Sequence, residues 1–204
     1  MEEICMTEHY YSKKPTVNSQ IQTIHASLRG IAFTFQSDAG VFSKKEVDFG
    51  SRVLISAMEL PKDARILDVG CGYGPIGLTA AKLCPAGHVT LIDINERAVE
   101  LAKLNARNNH ISNVTILQSN LFEHVRDQKF DVILTNPPIR AGKQVVHQIF
   151  SDSFDCLKPG GSLWVVIQKK QGAPSAYAKL EQLFRQVHEV TKEKGYRIFQ
   201  AIKQ

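Results

Sequence analysis

The chain is 204 residues long, 43% hydrophobic and 22% charged, with a formal net charge of +5. This suits one globular domain with a sizeable core and excludes disordered and fibrous classes. No apolar run approaches the roughly 20 residues that cross a bilayer, Met1-Glu2-Glu3 is acidic where a signal peptide is basic, and Cys5, Cys71, Cys84 and Cys156 lack Cys-x-x-Cys spacing, so a cytoplasmic chain with reduced thiols, no membrane segment and no metal site is expected.

Residues 1–60 read as an extension of the same domain. Gln22 to Leu28 and Ile31 to Gln36 alternate apolar with polar side chains around Arg29-Gly30, as a small β-hairpin does, and Phe49 to Leu60 supplies a helix leading into the core. Over residues 61–204, strand-like and helix-like segments alternate, which argues for a parallel sheet covered on both faces. Ile66 to Val69 is a short apolar strand, Pro75 to Leu83 a helix with proline in its first turn, and Val89 to Ile94 the next strand. Asn95 caps an amphipathic helix that runs to Asn108, with Ala98, Leu101, Ala102 and Leu104 as its apolar positions. Val114 to Leu117 and Phe130 to Thr135 are strands, and Val145 to Leu157 is a helix stopped by Lys158-Pro159-Gly160-Gly161. Ser162 to Ile167 is a strand and Ser175 to Phe184 a helix. Val187 to Val190 and Tyr196 to Ile202 close the chain as a hairpin around Lys194-Gly195, an antiparallel finish.

Ligands of open parallel sheets sit at the carboxyl ends of the strands, and two motifs stand at such ends. The first is Asp68-Val69-Gly70-Cys71-Gly72-Tyr73-Gly74, which with Gly77 also matches the G-x-G-x-x-G dinucleotide fingerprint. A pyrophosphate there would meet the Asp68 carboxylate at short range and would lack an N–H at Pro75. S-adenosylmethionine carries no phosphate and bears an ammonium and a sulfonium, so an acid beside the loop favours it. Gly70, Gly72 and Gly74 let the backbone approach such a ligand, with Cys71 as a small residue between them. Asp93, followed by Ile94, can accept both ribose hydroxyls through its two oxygens. Asn120 and Leu121 follow the third core strand, placed to meet the adenine through an amide and an apolar contact.

The second motif, Asn136-Pro137-Pro138-Ile139, ends the strand Phe130 to Thr135. An amine on an aromatic base spreads its lone pair into the ring and attacks poorly unless acceptors hold its hydrogens. The Asn136 side-chain oxygen can accept one N–H and the Pro137 carbonyl the other. Each proline restricts the residue before it, which presets both oxygens and lowers the ordering cost of reaction. No cysteine follows the prolines, so a covalent adduct at a pyrimidine carbon is not expected. The seven histidines form no spaced pair with a carboxylate that would suggest a triad or a metal site.

In these residues the chain resembles the class I S-adenosylmethionine-dependent methyltransferases, and more narrowly the small-domain enzymes that methylate guanine exocyclic amines in ribosomal RNA. Asp68 to Gly74 is similar to the family's glycine-rich motif, Asp93 to its ribose-binding acid, Asn120 to its adenine position and Asn136 to Ile139 to its Asn-Pro-Pro signature. Gly40-Val41-Phe42-Ser43 is similar to a Gly-Val-Phe-Ser segment, which implies that Phe42 helps to close the cofactor pocket. The resemblance implies a Rossmann-like α/β fold: a mostly parallel seven-stranded sheet with an antiparallel C-terminal strand, plus a small N-terminal β-hairpin. It also implies ribosomal RNA or a ribosomal subunit as partner, and a monomer is expected.

Ile139 departs from the Tyr or Phe usual in adenine and protein-glutamine methyltransferases, and forfeits stacking of about 1–3 kcal/mol per base, which favours guanine. Arg140 and Lys143 beyond the turn, and Lys44 and Lys45 beside the Phe42 segment, would lie at a rim available to phosphates. Lys13-Lys14, Lys169-Lys170 and the lysines at 192 and 194 read as solvated surface. The competing readings are a protein-glutamine methyltransferase acting on a translation factor and a non-catalytic RNA-binding assembly module.

Overall fold

Strand residues that alternate between two apolar faces need cover on both, and the chain supplies it with helices on each side of one sheet. A computed structural model describes residues 18–43 and 45–204; Cys5, the Lys13-Lys14 pair and Lys44 lie outside the described residues. The N-terminal hairpin pairs β1 (Gln22–Leu28) with β2 (Ile31–Ser37). Helix α1 (Phe49–Ala57) leads into β3 (Arg65–Val69), α2 (Pro75–Leu83), β4 (His88–Asp93), α3 (Glu96–Asn108), β5 (Val114–Gln118) and β6 (Phe130–Thr135). Then come α4 (Lys143–Cys156), β7 (Leu157–Gln168), α5 (Ala173–Leu183), β8 (Gln186–Glu193) and β9 (Tyr196–Ile202).

The main sheet has seven strands in the order β5-β4-β3-β6-β7-β9-β8. β5, β4, β3, β6 and β7 run parallel, and β9 inserts antiparallel between β7 and β8. Ile66, Leu91, Leu134 and Trp164 pack on the face that holds α1, α2, α3 and the hairpin, and their neighbours Leu67, Ile92, Ile133 and Val165 pack beneath α4 and α5. Because β3 sends the chain outward to β4 and β5 and then back to β6, a crevice opens at the carboxyl ends beside β3.

Among the local expectations that differ from what is found, four have a visible physical cause. Helix α1 ends at Ala57 rather than Leu60: Met58 is already extended, at φ −62° and ψ 135°, and Pro61 disfavours a helical residue before it. Helix α5 begins at Ala173 rather than Ser175, because Pro174 takes its place in the first turn. Lys158-Pro159-Gly160-Gly161 is part of β7 rather than a free stop. The register with β6 jumps there from Phe130↔Leu157 to Val132↔Ser162, and the extra residues are held by Gly160 N–H to Lys203 O and Lys203 N–H to Gly161 O. Gly161 is required at the bulge, since a Cβ would stand 2.9 Å from the Asp131 carbonyl.

The fourth difference concerns α3. Its inward face carries fully buried Asn105 where apolar spacing points to Leu104, which is only half-buried. The Asn105 side chain accepts from Gln36 N–H at 2.7 Å and donates to Gln36 O and Tyr73 O, both at 2.9 Å. One turn on, Asn109 accepts from Thr34 N–H at 3.0 Å and donates to Thr34 O at 2.9 Å. Two side-chain amides thus pair with alternate residues of β2 as a neighbouring strand would, which satisfies its free edge and docks the hairpin on the helix.

Candidate active site

A cleft occupies the crevice, and both strand-end motifs contribute to its lining. Gly70, Cys71 and Gly72 form one wall, Asp93 and Ile94 a second, Leu121 a third, and Asn136, Pro137 and Pro138 a fourth. Val41, Phe42 and Ser43, from the segment after the hairpin, close it, with Phe42 39% exposed at the edge. That segment is tied to the start of α3 by Asn95 Nδ2, which donates to Gly40 O at 2.9 Å while Asn95 Oδ1 caps the helix.

The glycine loop is held from beneath. Gly70 N–H and Cys71 N–H both donate to Ile92 O, and Gly72 N–H donates to Asp93 Oδ2 at 2.8 Å. Asp93 Oδ1 accepts from Asn95 N–H at 2.9 Å, so both carboxylate oxygens are fixed in direction and each keeps a lone pair for a ligand hydroxyl. Desolvation raises the Asp93 pKa, and the backbone donors partly offset it. Gly74, whose φ of +103° favours glycine, precedes helix α2 as its N-cap, and the helix runs so close to the sheet that a Cβ on Gly77 would meet Leu91 at 2.6 Å.

Asp68, Gly74 and Asn120 are not on the cleft wall. Asp68 is fully buried behind the loop: Oδ2 accepts from Gly77 N–H at 2.8 Å, and Oδ1 has no hydrogen-bond partner among the described residues. Burial pushes its carboxyl up to about 7, with the Asp93 charge adding to the rise and the Gly77 bond opposing it. Burial likewise pushes the Cys71 thiol well up, so it is a neutral wall residue. Asn120 points to solvent because Leu121 turns into the left-handed region at φ 51°, and Ser119 takes the wall position instead. Ser119 holds that turn by donating from Oγ to Leu121 O at 2.8 Å and accepting His124 N–H.

The Asn136 side chain meets two residues that sequence reasoning did not single out. Its Nδ2 donates to Asp48 Oδ2 and to Ser51 Oγ, both at 3.0 Å, and both partners line the cleft. The one available signal was the Asp48-x-x-Ser51 spacing of a helix cap ahead of an apolar run. Ile139 leaves the cleft on a short 3-10 turn and faces a neighbouring hollow with Lys143, Val146 and His147. Lys45, Arg140 and Lys143 are exposed. Burial and the charges of Lys143 and Lys179 lower the His147 pKa, as expected beside a cationic rim.

This donor set fits S-adenosylmethionine better than a dinucleotide. Gly72 N–H is already committed to Asp93, Pro75 has no N–H, and so the loop presents few donors to a pyrophosphate. The anchored Asp93 carboxylate suits vicinal hydroxyls.

Comparison with known proteins identifies the family. The family model described as methyltransferase small domain matches residues 32–200. The chain is 60% identical over 200 residues to protein YbxB of Bacillus subtilis strain 168, covering 97% of this chain and 100% of that protein. It is 32% identical over 169 residues to ribosomal RNA small subunit methyltransferase C of Photorhabdus laumondii, covering 80% of this chain and 48% of that protein. Among solved structures it is similar to the Thermus thermophilus 16S rRNA N2 G1207 methyltransferase in complex with AdoMet and guanosine. The TM-score is 0.81 at 26% identity, over 93% of this chain and 52% of the other. The chain thus spans about half the length of these two rRNA methyltransferases.

Proposed function

The chain belongs to the methyltransferase small domain family, and from that premise we propose that it transfers a methyl group from S-adenosylmethionine to the exocyclic amine of a guanine in ribosomal RNA, with small-subunit rRNA as the favoured substrate. One observation carries this reading: the Asn136-Pro137-Pro138 turn shares a single cleft with Asp93 and the Gly70 to Gly72 loop. The solved relative bound to AdoMet and guanosine supports the choice of guanine.

When bound, S-adenosylmethionine supplies an electrophilic methyl group on a sulfonium. Asp93 would hold the ribose hydroxyls, Leu121 and Ser119 would flank the adenine, and Phe42 would cover the edge. Asn136 Oδ1 and the Pro137 carbonyl accept the two N–H bonds of the base amine, which frees its lone pair for in-line attack. They would hold the amine in place while it receives the methyl group that the sulfonium supplies, and until its displaced proton leaves to water. Because the acceptors are preset, they act most strongly on the positive nitrogen of the transition state.

Lys45, Arg140 and Lys143 form the phosphate-facing rim in this reading. Lys169 and Lys170 join it, since they are exposed on the turn after β7, at the same carboxyl edge of the sheet as Asn136. Residues 1–60 act as an extension of the catalytic domain rather than a separate module, a view supported by the amide pairing of β2 with α3.

The test is transfer of labelled methyl to 30S subunits, 50S subunits and naked rRNA from cells lacking the gene, with a translation release factor alongside and mass spectrometry of the product. N2-methylguanosine is expected, and Asn136→Ala should lower kcat about 100-fold while leaving S-adenosylmethionine affinity unchanged. Methylation of a protein glutamine, or near-normal turnover by Asn136→Ala, would overturn the reading.

A further inference from the structure

A carboxamide is nearly symmetric in shape, so a catalytic asparagine can present either its oxygen or its NH2 group, and only the oxygen can accept from an amine. At Asn136 the choice is forced by its neighbours. An ionised carboxylate has no proton to give, so the Asn136 atom 3.0 Å from Asp48 Oδ2 must be the nitrogen. Ser51 Oγ accepts the second Nδ2 hydrogen at 3.0 Å. Turning the amide over would set two acceptor oxygens against each other at that distance. With both Nδ2 hydrogens engaged, Oδ1 is left to the cleft, and no donor among the described residues reaches it.

Asp48 is itself held in place. It is the N-cap of α1, where Oδ2 also accepts Ser51 N–H at 3.0 Å. Space is tight behind it: a Cβ on Gly50 would stand 3.0 Å from Asp48 Oδ2 and 2.8 Å from the Tyr196 ring. A single oxygen therefore serves both the helix cap and the Asn136 amide, and ties the amide to α1 as well as to its own turn.

We propose that Asp48 and Ser51 are positioning residues for methyl transfer: they lock the Asn136 carboxamide so that its oxygen, and not its NH2 group, faces the substrate amine. This rests on the role given to Asn136 above, and it explains why an acidic residue lines the substrate side of the cleft without touching a reacting atom.

Two substitutions at one position separate orientation from charge. Asp48→Ser keeps the helix cap but is too short to reach Asn136. Asp48→Asn removes the charge yet keeps both bonds, because its carbonyl oxygen replaces the one oxygen that received Ser51 N–H and Asn136 Nδ2. Kinetics are measured on 30S subunits from cells lacking the gene. In parallel, proton–nitrogen NMR follows the Asn136 side-chain NH2 signals, identified by their absence in Asn136→Ala.

Asp48→Ser is expected to lower kcat at least tenfold with the KM for S-adenosylmethionine within twofold, and to shift the NH2 signals towards those of a free carboxamide. Asp48→Asn is expected to restore both kcat and the signals. Native NH2 signals in Asp48→Ser would overturn the lock, and equal loss of kcat in Asp48→Ser and Asp48→Asn would show that charge, not orientation, is what matters. If the wild-type protein methylates no rRNA, the proposed substrate fails, and the NMR comparison still decides the lock.

Discussion

Replacing Asn105 with alanine removes the residue that joins three parts of the molecule, and its cost can be worked from the bonds it makes. Asn105 is fully buried and forms three hydrogen bonds of 2.7–2.9 Å, to Gln36 N–H, Gln36 O and Tyr73 O. Each lost bond removes about 1 kcal/mol net, and a partner left dry costs about 1–3 kcal/mol. Some of the three stranded groups will find water, since Gln36 is only half-buried, so a loss of about 3 kcal/mol is expected. For a chain of this size that corresponds to a fall in Tm of about 6–12 °C. Urea unfolding gives the first number, and amide hydrogen exchange at Thr34 and Gln36 shows where it arises. Asn105→Ala should expose the Gln36 N–H to exchange well before the sheet unfolds, and should weaken ligand binding, because β2 feeds directly into the Val41 to Ser43 wall. A loss below about 1 kcal/mol with unchanged Gln36 protection would refute the view that side-chain amides, rather than apolar contact alone, dock the hairpin.

Asp68 gives a pH prediction. Its carboxyl is raised from an ordinary 3.8 to about 7, so the folded protein binds that proton more tightly than the unfolded chain. The resulting stability is complete below 3.8 and is lost as pH rises through about 7, a swing of at most about 4 kcal/mol. Melting curves of the ligand-free protein from about pH 5 to about pH 8 should fall more steeply for wild type than for Asp68→Asn, and parallel curves would contradict the assignment. At the rim, the double change Arg140→Ala with Lys143→Ala should reduce the slope of log affinity for rRNA against log salt by about 1.4–1.8. An unchanged slope in filter-binding titrations would remove these two residues from the RNA path.

Much of this protein is legible along the chain because its signals are local. Strand and helix periods, Pro75 at a helix start, Asn95 as a cap and Lys194-Gly195 at a hairpin each act within a few residues, so the order of elements and the antiparallel finish follow from them. The motifs at the strand ends are legible for the same reason: a parallel sheet brings all its carboxyl ends to one edge, so Gly72, Asp93 and Asn136 must meet there. Asn120 shows the limit. One residue of left-handed backbone at Leu121 turns Asn120 out and leaves Ser119 in the wall, and no neighbouring residue type announces it.

The sequence by itself determined which elements form and which edge of the sheet carries chemistry, through periodicity, caps and turn residues. Only the tertiary structure decided what the polar side chains do. Asn136 meets Asp48 across 88 residues and Asn105 meets Gln36 across 69. Asn105 sits where an apolar side chain is expected, and it is stable there only because the hairpin delivers a strand edge to its amide. A buried polar group is fixed by the partner that satisfies it, and a partner so distant in the chain exists only once the fold has formed.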